Sequence, residues 1–359
     1  MANIIIPWWS STLYLKSLDK IEKAIKNSHI GQSKFTKEFE ELIKKKLQVK
    51  YCVTCSSGSS ALLMSLMALG IKRGDNVIIP NRAWIATAHS VLLTGAKLII
   101  VDVNKENESI NIKEVEKKIN KKTKAVIAVH MNGKGNDIHA LRDMLKKKKV
   151  KLIEDAAQSL FSKKKKNYLG TIGDIGCFSL SIPKIITSAQ GGFCISNSKS
   201  LFQNLNKIKN QGMSSESLFY SRWGIQGFNF KFNDIVACIA IPQIKNYNKI
   251  IEKINSIYLI YKKIKNINLE FQENDMINGE ISIYNKVYTD NPKRLMRYLA
   301  KNNIEARPSY ANIDKATYLK TNCNFKNSNF YEKMIILPSG PGQSLKNIKK
   351  VITILNQYK

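Results

Sequence analysis

The chain has 359 residues, 43% of them hydrophobic, enough for a large core in two or three folding units. No stretch reaches the roughly 18 uninterrupted apolar residues of a membrane span, and the start MANIIIPWWSS lacks both the basic region and the apolar run of a signal peptide. The net charge of +31 first suggests a nucleic-acid or membrane-surface partner. Against this, the lysines are scattered, with short runs at 44–46, 146–149 and 163–166. Arginines are few, and no nucleic-acid-binding motif accompanies them. The excess therefore reads as compositional bias, with attraction of an anionic substrate as its functional use. The expectation is a cytoplasmic protein without a nucleic-acid or membrane partner.

In chain order, residues 13–48 read as helices, and FTKEFEELIKKKL places apolar residues at helical spacing. YCVTCSS reads as a strand running into a Ser/Gly turn, and ALLMSLMALG as the helix that follows. Cys52 and Cys55 form a CxxC, but no second pair stands at zinc-site spacing, so core packing is expected and no metal. Short strands recur at NVIIP, KLIIVDV, AVIAVH and KLIEDA, with helical patterns at 82–94, 111–119 and 137–148 between them. Such alternation implies a mostly parallel α/β sheet with its site at the strand carboxyl ends. Beyond about residue 245 the pattern changes to a long helix, roughly 244–265, and a smaller α+β region closed by a helix at 344–357. The domains are expected at 1–243 and 244–359, with the N-terminal segment able to pack on the smaller one.

Four constellations carry chemistry. Ser56-Ser57-Gly58-Ser59-Ser60 sits between a strand and a helix, where backbone N–H groups and hydroxyls suit a phosphate; alone it equally fits a plain helix cap. Glu154-Asp155-Ala156-Ala157-Gln158 places a carboxylate at a strand's carboxyl end. Gly173-Asp174-Ile175-Gly176-Cys177-Phe178-Ser179 leads to Lys184 within an apolar, small-residue stretch that ends in Gly191-Gly192. Burial there would lower the amine's basicity and leave it nucleophilic. Gly227-Phe228-Asn229-Phe230-Lys231-Phe232-Asn233-Asp234 interleaves aromatics with polar residues and alone reads as a turn into a helix.

Their ordered combination resembles the DegT/DnrJ/EryC1/StrS family of sugar aminotransferases, which depend on pyridoxal phosphate. GQSKFTKEFE, SSGSSALLMSLMALGIKRGDNVIIP, the ATA after Trp84, GAKLIIVDV, EDAAQ, GDIGCFSLSIPK, QGG, GFNFKFND and ILPSGPG carry the resemblance over nearly the whole chain. It implies an aspartate-aminotransferase-like α/β fold (fold type I), with a large domain around the sheet and a smaller α+β C-terminal domain. It implies that Lys184 holds pyridoxal 5'-phosphate as a Schiff base and shuttles the proton, with pyridoxamine phosphate as the aminated form. Asp155 would pair with the pyridinium nitrogen, Gln158 would meet the phenolic oxygen, and Trp84 would stack on the ring. Gly58, Ser59 and Ser179 would hold the phosphate. Asn229 would reach the phosphate bound by a neighbouring subunit, which makes the protein a homodimer with active sites at the subunit interface.

The implied reaction moves an amino group from an amino acid, L-glutamate, to a keto sugar, most often nucleotide-linked and destined for a surface polysaccharide. The sequence departs from the family pattern in places. The usual SGT is SGS, the usual Gly-Glu-Gly-Gly is Ala189-Gln190-Gly191-Gly192, and the segment after Arg307 (Pro308-Ser309-Tyr310-Ala311-Asn312) lacks a histidine. A keto sugar without a nucleotide, or a small phosphorylated ketone, therefore stays open as acceptor. The family's dehydratases carry histidine at the lysine position, so Lys184 favours amino transfer. A non-catalytic relative would be expected to lose Lys184 or Asp155.

Overall fold

The computed structural model describes residues 6–135, 137–213, 223–319 and 324–359. Two helices come first, α1 (Lys16–Lys26) and α2 (Lys34–Leu47). On α2, Phe35, Phe39, Ile43 and Leu47 recur every four residues and are buried, forming one apolar stripe. A seven-stranded sheet follows: β1 (Tyr51–Cys55), β2 (Asn76–Pro80), β3 (Lys97–Val101), β4 (Thr123–Val129), β5 (Lys151–Asp155), then β8 (Ile175–Ser179) and β9 (Gly192–Ser196) after a small hairpin of β6 (Lys163–Lys164) and β7 (Asn167–Tyr168). Its order is β1-β9-β8-β5-β4-β2-β3. Only β9 runs against its neighbours, so the other six strands share one direction.

Helices α3 (Gly58–Ala68), α4 (Ile85–Leu93), α5 (Ile112–Lys118) and α6 (Ile138–Lys147) are the crossovers, and α7 (Lys199–Lys209) follows β9. They cover a sheet whose inner strands are buried on both faces, which is why NVIIP and AVIAV read as continuous apolar runs. Cys52 and Cys55 are buried on β1. Cys55, Cys177 and Cys194 gather beneath α3 around Ser65, whose Oγ lies 3.0 Å from Cys177 Sγ.

The long helix expected near 244–265 is α9 (Tyr247–Tyr261), and a separate helix, α8 (Asp234–Lys245), runs into it. Asn246 breaks them with φ −110° and ψ 22°. Its N–H reaches the Pro242 and Gln243 carbonyls, and its side chain also donates to Pro242 O. The apolar periodicity runs across the break, which hides it from a pattern reading. A second sheet, β10-β11-β13-β12, is antiparallel and small: β10 (Glu270–Phe271), β11 (Lys286–Tyr288), β12 (Arg307–Pro308) and β13 (Met334–Ile336). Helices α10 (Pro292–Lys301), α11 (Lys326–Tyr331) and α12 (Leu345–Asn356) accompany it. The N-terminal segment packs here, with Ile6 bridging Ile304 and Trp9 bridging Ser339.

GFNFKFND does lead into a helix, with Asn233 capping α8 through Val236 N–H. Its last residue does more. Asp234 is fully buried, and its oxygens accept from Ser33 N (3.0 Å), Ser33 Oγ (2.6 Å), Phe35 N (3.1 Å), Thr36 N (2.8 Å) and Thr36 Oγ1 (2.6 Å). The first turn of α2, whose N–H groups have no partner within the helix, is thus closed by a carboxylate some 200 residues away. Asp234→Ala strands those donors and should cost about 3 kcal/mol, read as a lower urea midpoint. Asp234→Asn, which keeps one acceptor oxygen, should lose less.

Candidate functional site

Because six strands share one direction, their carboxyl ends converge, and a cavity of about 430 Å³ opens there. Ser57, Gly58 and Ser59 enter it after β1, and Asp155 and Gln158 at the end of β5. Ser179 closes β8, and Lys184 lies on the loop between β8 and β9. That loop is tied at its neck by Leu180 N–H to Gly191 O and Ser188 N–H to Leu180 O. Buried Ile185 and Ile186 anchor its far side, and the Gln243 side chain of α8 bonds both the N–H (3.0 Å) and the carbonyl (2.7 Å) of Thr187.

The N-terminus of α3 faces the cavity. Ser57 caps it, its Oγ accepting from Ser60 N at 3.0 Å, so the plain-cap reading and the anion-site reading describe the same turn. A Cβ at Gly58 would lie 2.8 Å from Ser179 Cβ, and one at Gly192 would lie 2.7 Å from Gly58 N. The glycines let the helix end, Ser59 and Ser179 close into a cradle of N–H and O–H donors that suits a phosphate.

Lys184 opens into the cavity but is otherwise walled by protein, and desolvation lowers its basicity to about 8 while the nearby Asp155 charge opposes the shift. Asp155 is buried, and burial pushes its pKa up against the Thr87 hydroxyl, which donates to Oδ2 at 2.8 Å, and the Ala157 N–H, 3.2 Å from Oδ1. Among the described residues no cation forms an ion pair with it. A buried carboxylate turned into a cavity without a bonded cation fits a positively charged ring nitrogen. Glu154, the preceding residue, takes the other side of the strand. It accepts from His130 Nε2 (2.7 Å), Gly170 N (2.9 Å), Ile172 N (2.7 Å) and Gly173 N, bonds that outweigh burial and hold it below the usual carboxylate range. It shapes the turn that launches β8. Cradle, carboxylate and amine together fit pyridoxal phosphate.

Gln158 is buried at the cavity wall, its Oε1 accepting from Asn132 N at 3.0 Å. Trp84 caps α4 and stands at the mouth, 57% exposed, edge-on to Tyr310 at 5.3 Å. Gln190 lines the cavity, so one departure from the family pattern faces it directly. Asn229 does not: it is exposed on its own chain, its Oδ1 accepting from Lys231 N at 3.4 Å. Trp8, Thr87, His130, Tyr284 and Tyr310 surround the site without having been singled out from sequence. His130 had a usable signal, the carboxyl end of AVIAVH. Trp8 and Tyr284 had none, since their rings meet at 6.3 Å from opposite ends of the chain.

The sequence profile of the DegT/DnrJ/EryC1/StrS aminotransferase family matches residues 14–356. A GDP-perosamine synthase of Vibrio cholerae is 30% identical over 363 residues, covering 96% of this chain and 98% of the relative. A UDP-4-amino-4-deoxy-L-arabinose–oxoglutarate aminotransferase of Shewanella sediminis is 27% identical over 74% of this chain and 70% of its own length. Among solved structures, the aminotransferase TlmJ from Streptoalloteichus hindustanus superposes with a TM-score of 0.91 at 22% identity, over 99% of this chain and 98% of that one. It shares the fold.

Competitive labelling of Lys184 by a small amine-directed reagent in the cofactor-free protein should rise through pH about 8 and flatten above it, because the neutral amine is the reactive form. A midpoint near that of an ordinary lysine would contradict the desolvated setting. In Asp155→Asn the midpoint should fall further, since the charge that favours the ammonium form is gone. Gly58→Ala should push Ser179 out of the cradle and weaken cofactor binding at least tenfold by equilibrium titration while the chain stays folded.

Proposed function

Since the chain belongs to the DegT/DnrJ/EryC1/StrS aminotransferase family, we propose that it transfers an amino group from L-glutamate to a nucleotide-linked keto sugar on the way to a surface polysaccharide. The observation that carries this reading is Lys184, an amine of lowered basicity sharing a cavity with the buried Asp155 beside the α3 anion cradle. The relatives named for GDP- and UDP-linked sugars support the acceptor class.

Pyridoxal phosphate, when bound, supplies a carbonyl that takes up amino groups and a ring that draws electrons from the neighbouring carbon. The rest falls to the chain. Lys184 offers a neutral amine near neutral pH, holds the cofactor between turnovers, and moves the proton at the reacting carbon. Asp155, fixed by Thr87, keeps the ring nitrogen protonated. Gly58, Ser59, Ser179, Gln158 and Trp84 all line the cavity, where the first three would hold the phosphate, Gln158 would meet the phenolic oxygen and Trp84 would stack on the ring. Asn229 is exposed and does not line its own cavity, in keeping with a role at the phosphate of a partner subunit in a homodimer. No described helix is long and apolar enough to cross a membrane, which agrees with a cytoplasmic enzyme acting on soluble nucleotide sugars.

Borohydride treatment of the yellow holoenzyme, followed by peptide mapping, should place the reduced pyridoxyl group on Lys184. Lys184→Ala should lose both the label and turnover. Incubation of the holoenzyme with nitrogen-labelled glutamate and a panel of nucleotide-linked keto sugars should yield one labelled amino sugar. A holoenzyme that carries the label on Lys184 but aminates only keto compounds without a nucleotide would overturn the acceptor assignment.

A further inference from the structure

The strand direction that gathers the site at one end of the sheet also defines the opposite end. There lie the starts of β1 to β5 and β8, the end of β9, and the last turns of α2, α4, α5 and α6. The segments 44–50, 72–76, 92–97, 116–124, 143–151, 173–175 and 196–200 make up this face. They hold eighteen lysines and arginines against four carboxylates (Asp75, Glu116, Asp143, Asp174), a net +14 of the chain's +31. Two of the three lysine runs, scattered in sequence, meet on this one face.

Favourable contact with helix carboxyl ends explains a lysine or two per helix. It does not explain the cations at strand starts. Lys97, Lys121 and Lys122 are all exposed, and among the described residues none pairs with a carboxylate. They line an open groove of about 610 Å³ with Gly74, Asn76, Gly95 and Asn120. At the end of α4, just before Gly95, Leu92 and Leu93 are 38% and 72% exposed.

We infer that this face docks on an anionic lipid surface. Lysine point charges over a sheet end roughly 30 Å wide match a plane of phosphate headgroups, and Leu93 is placed to enter the headgroup region. Arginine, which reads bases and binds phosphate in bidentate fashion, occurs once among the eighteen cations, at Arg73, so nucleic acid is the poorer fit. Docked this way, the cavity mouth faces away from the bilayer and stays open to soluble substrates. The inference rests on strand direction and charge placement alone, so its failure leaves the amino-transfer reading untouched.

The test is co-sedimentation of the holoenzyme with vesicles of phosphatidylcholine, alone or with phosphatidylglycerol. Binding should require the anionic lipid and fall steeply with salt. The triple variant Lys97→Glu, Lys121→Glu, Lys122→Glu should bind at least tenfold more weakly with turnover kept. Lys164→Glu, Lys165→Glu, Lys166→Glu makes the same charge change in the β6–β7 hairpin and should bind nearly as wild type. Leu93→Ser should weaken vesicle binding at constant charge. No anionic-lipid binding, equal losses in the two triple variants, or tighter binding to duplex DNA that Leu93→Ser leaves unchanged would each overturn the inference.

Discussion

The common direction of six of the seven strands is the constraint on which the rest of this structure depends. It brings Ser57–Ser59, Asp155 and Ser179 to one end, although they are spread over more than a hundred residues. The antiparallel β9 adds what a wholly parallel sheet could not. Its start lies at the carboxyl end of β8, so the intervening chain is a short loop closed at its neck, and Lys184 sits on that loop. Gly192 must then pass against Ser57 and Gly58, where a side chain would not fit. Sheet direction and glycine placement are therefore one arrangement, not two.

The smaller sheet joins this frame through buried charge. Glu108 lies between Arg82, which follows β2, and Lys286 on β11, at 2.8 and 3.0 Å, with all three side chains out of contact with solvent. Burial would raise the carboxylate, but the Lys286 and Arg82 cations hold it at about 2. Arg82 also bonds Ser309 Oγ, Asn312 Oδ1 and Tyr310 O, which fixes the segment that presents Tyr310 to the cavity and backs Trp84. Breaking one member of such a cluster leaves an uncompensated charge in the core, so the cluster enforces one relative placement of the two sheets. The aromatic wall of the site inherits that placement.

What could be read from sequence follows from how local each signal is. EDAAQ and GDIGCFS each lie on one strand and its next turn, so residue types and order suffice to put Asp155, Gln158 and Ser179 together at a sheet end. The cavity wall from Trp8 and Tyr284 depends on segments nearly 280 residues apart, and no pattern within either segment encodes the meeting. Asp234 is similar: GFNFKFND shows a turn into a helix, while its acceptor role toward Ser33 and Thr36 exists only after folding. The lysines are another case. Counted along the chain they look uniform, and only the fold sorts them onto faces.

That sorting also separates Lys184 from the enclosed Arg82, Lys286 and Lys209. Arg82 and Lys286 lie within 3.0 Å of Glu108, and Lys209 lies 3.9 Å from Glu40, so each keeps a carboxylate beside it. Lys184 has Asp155 near enough to raise its basicity but not in an ion pair, and desolvation prevails. A buried amine bound tightly to a carboxylate stays an ammonium and cannot attack a carbonyl. One left without any acid nearby would be less basic still, and so poorer at holding the proton it must return. The distance Asp155 keeps, held by Thr87 and Ala157 rather than by Lys184, leaves the amine poised near 8, able both to give and to take a proton.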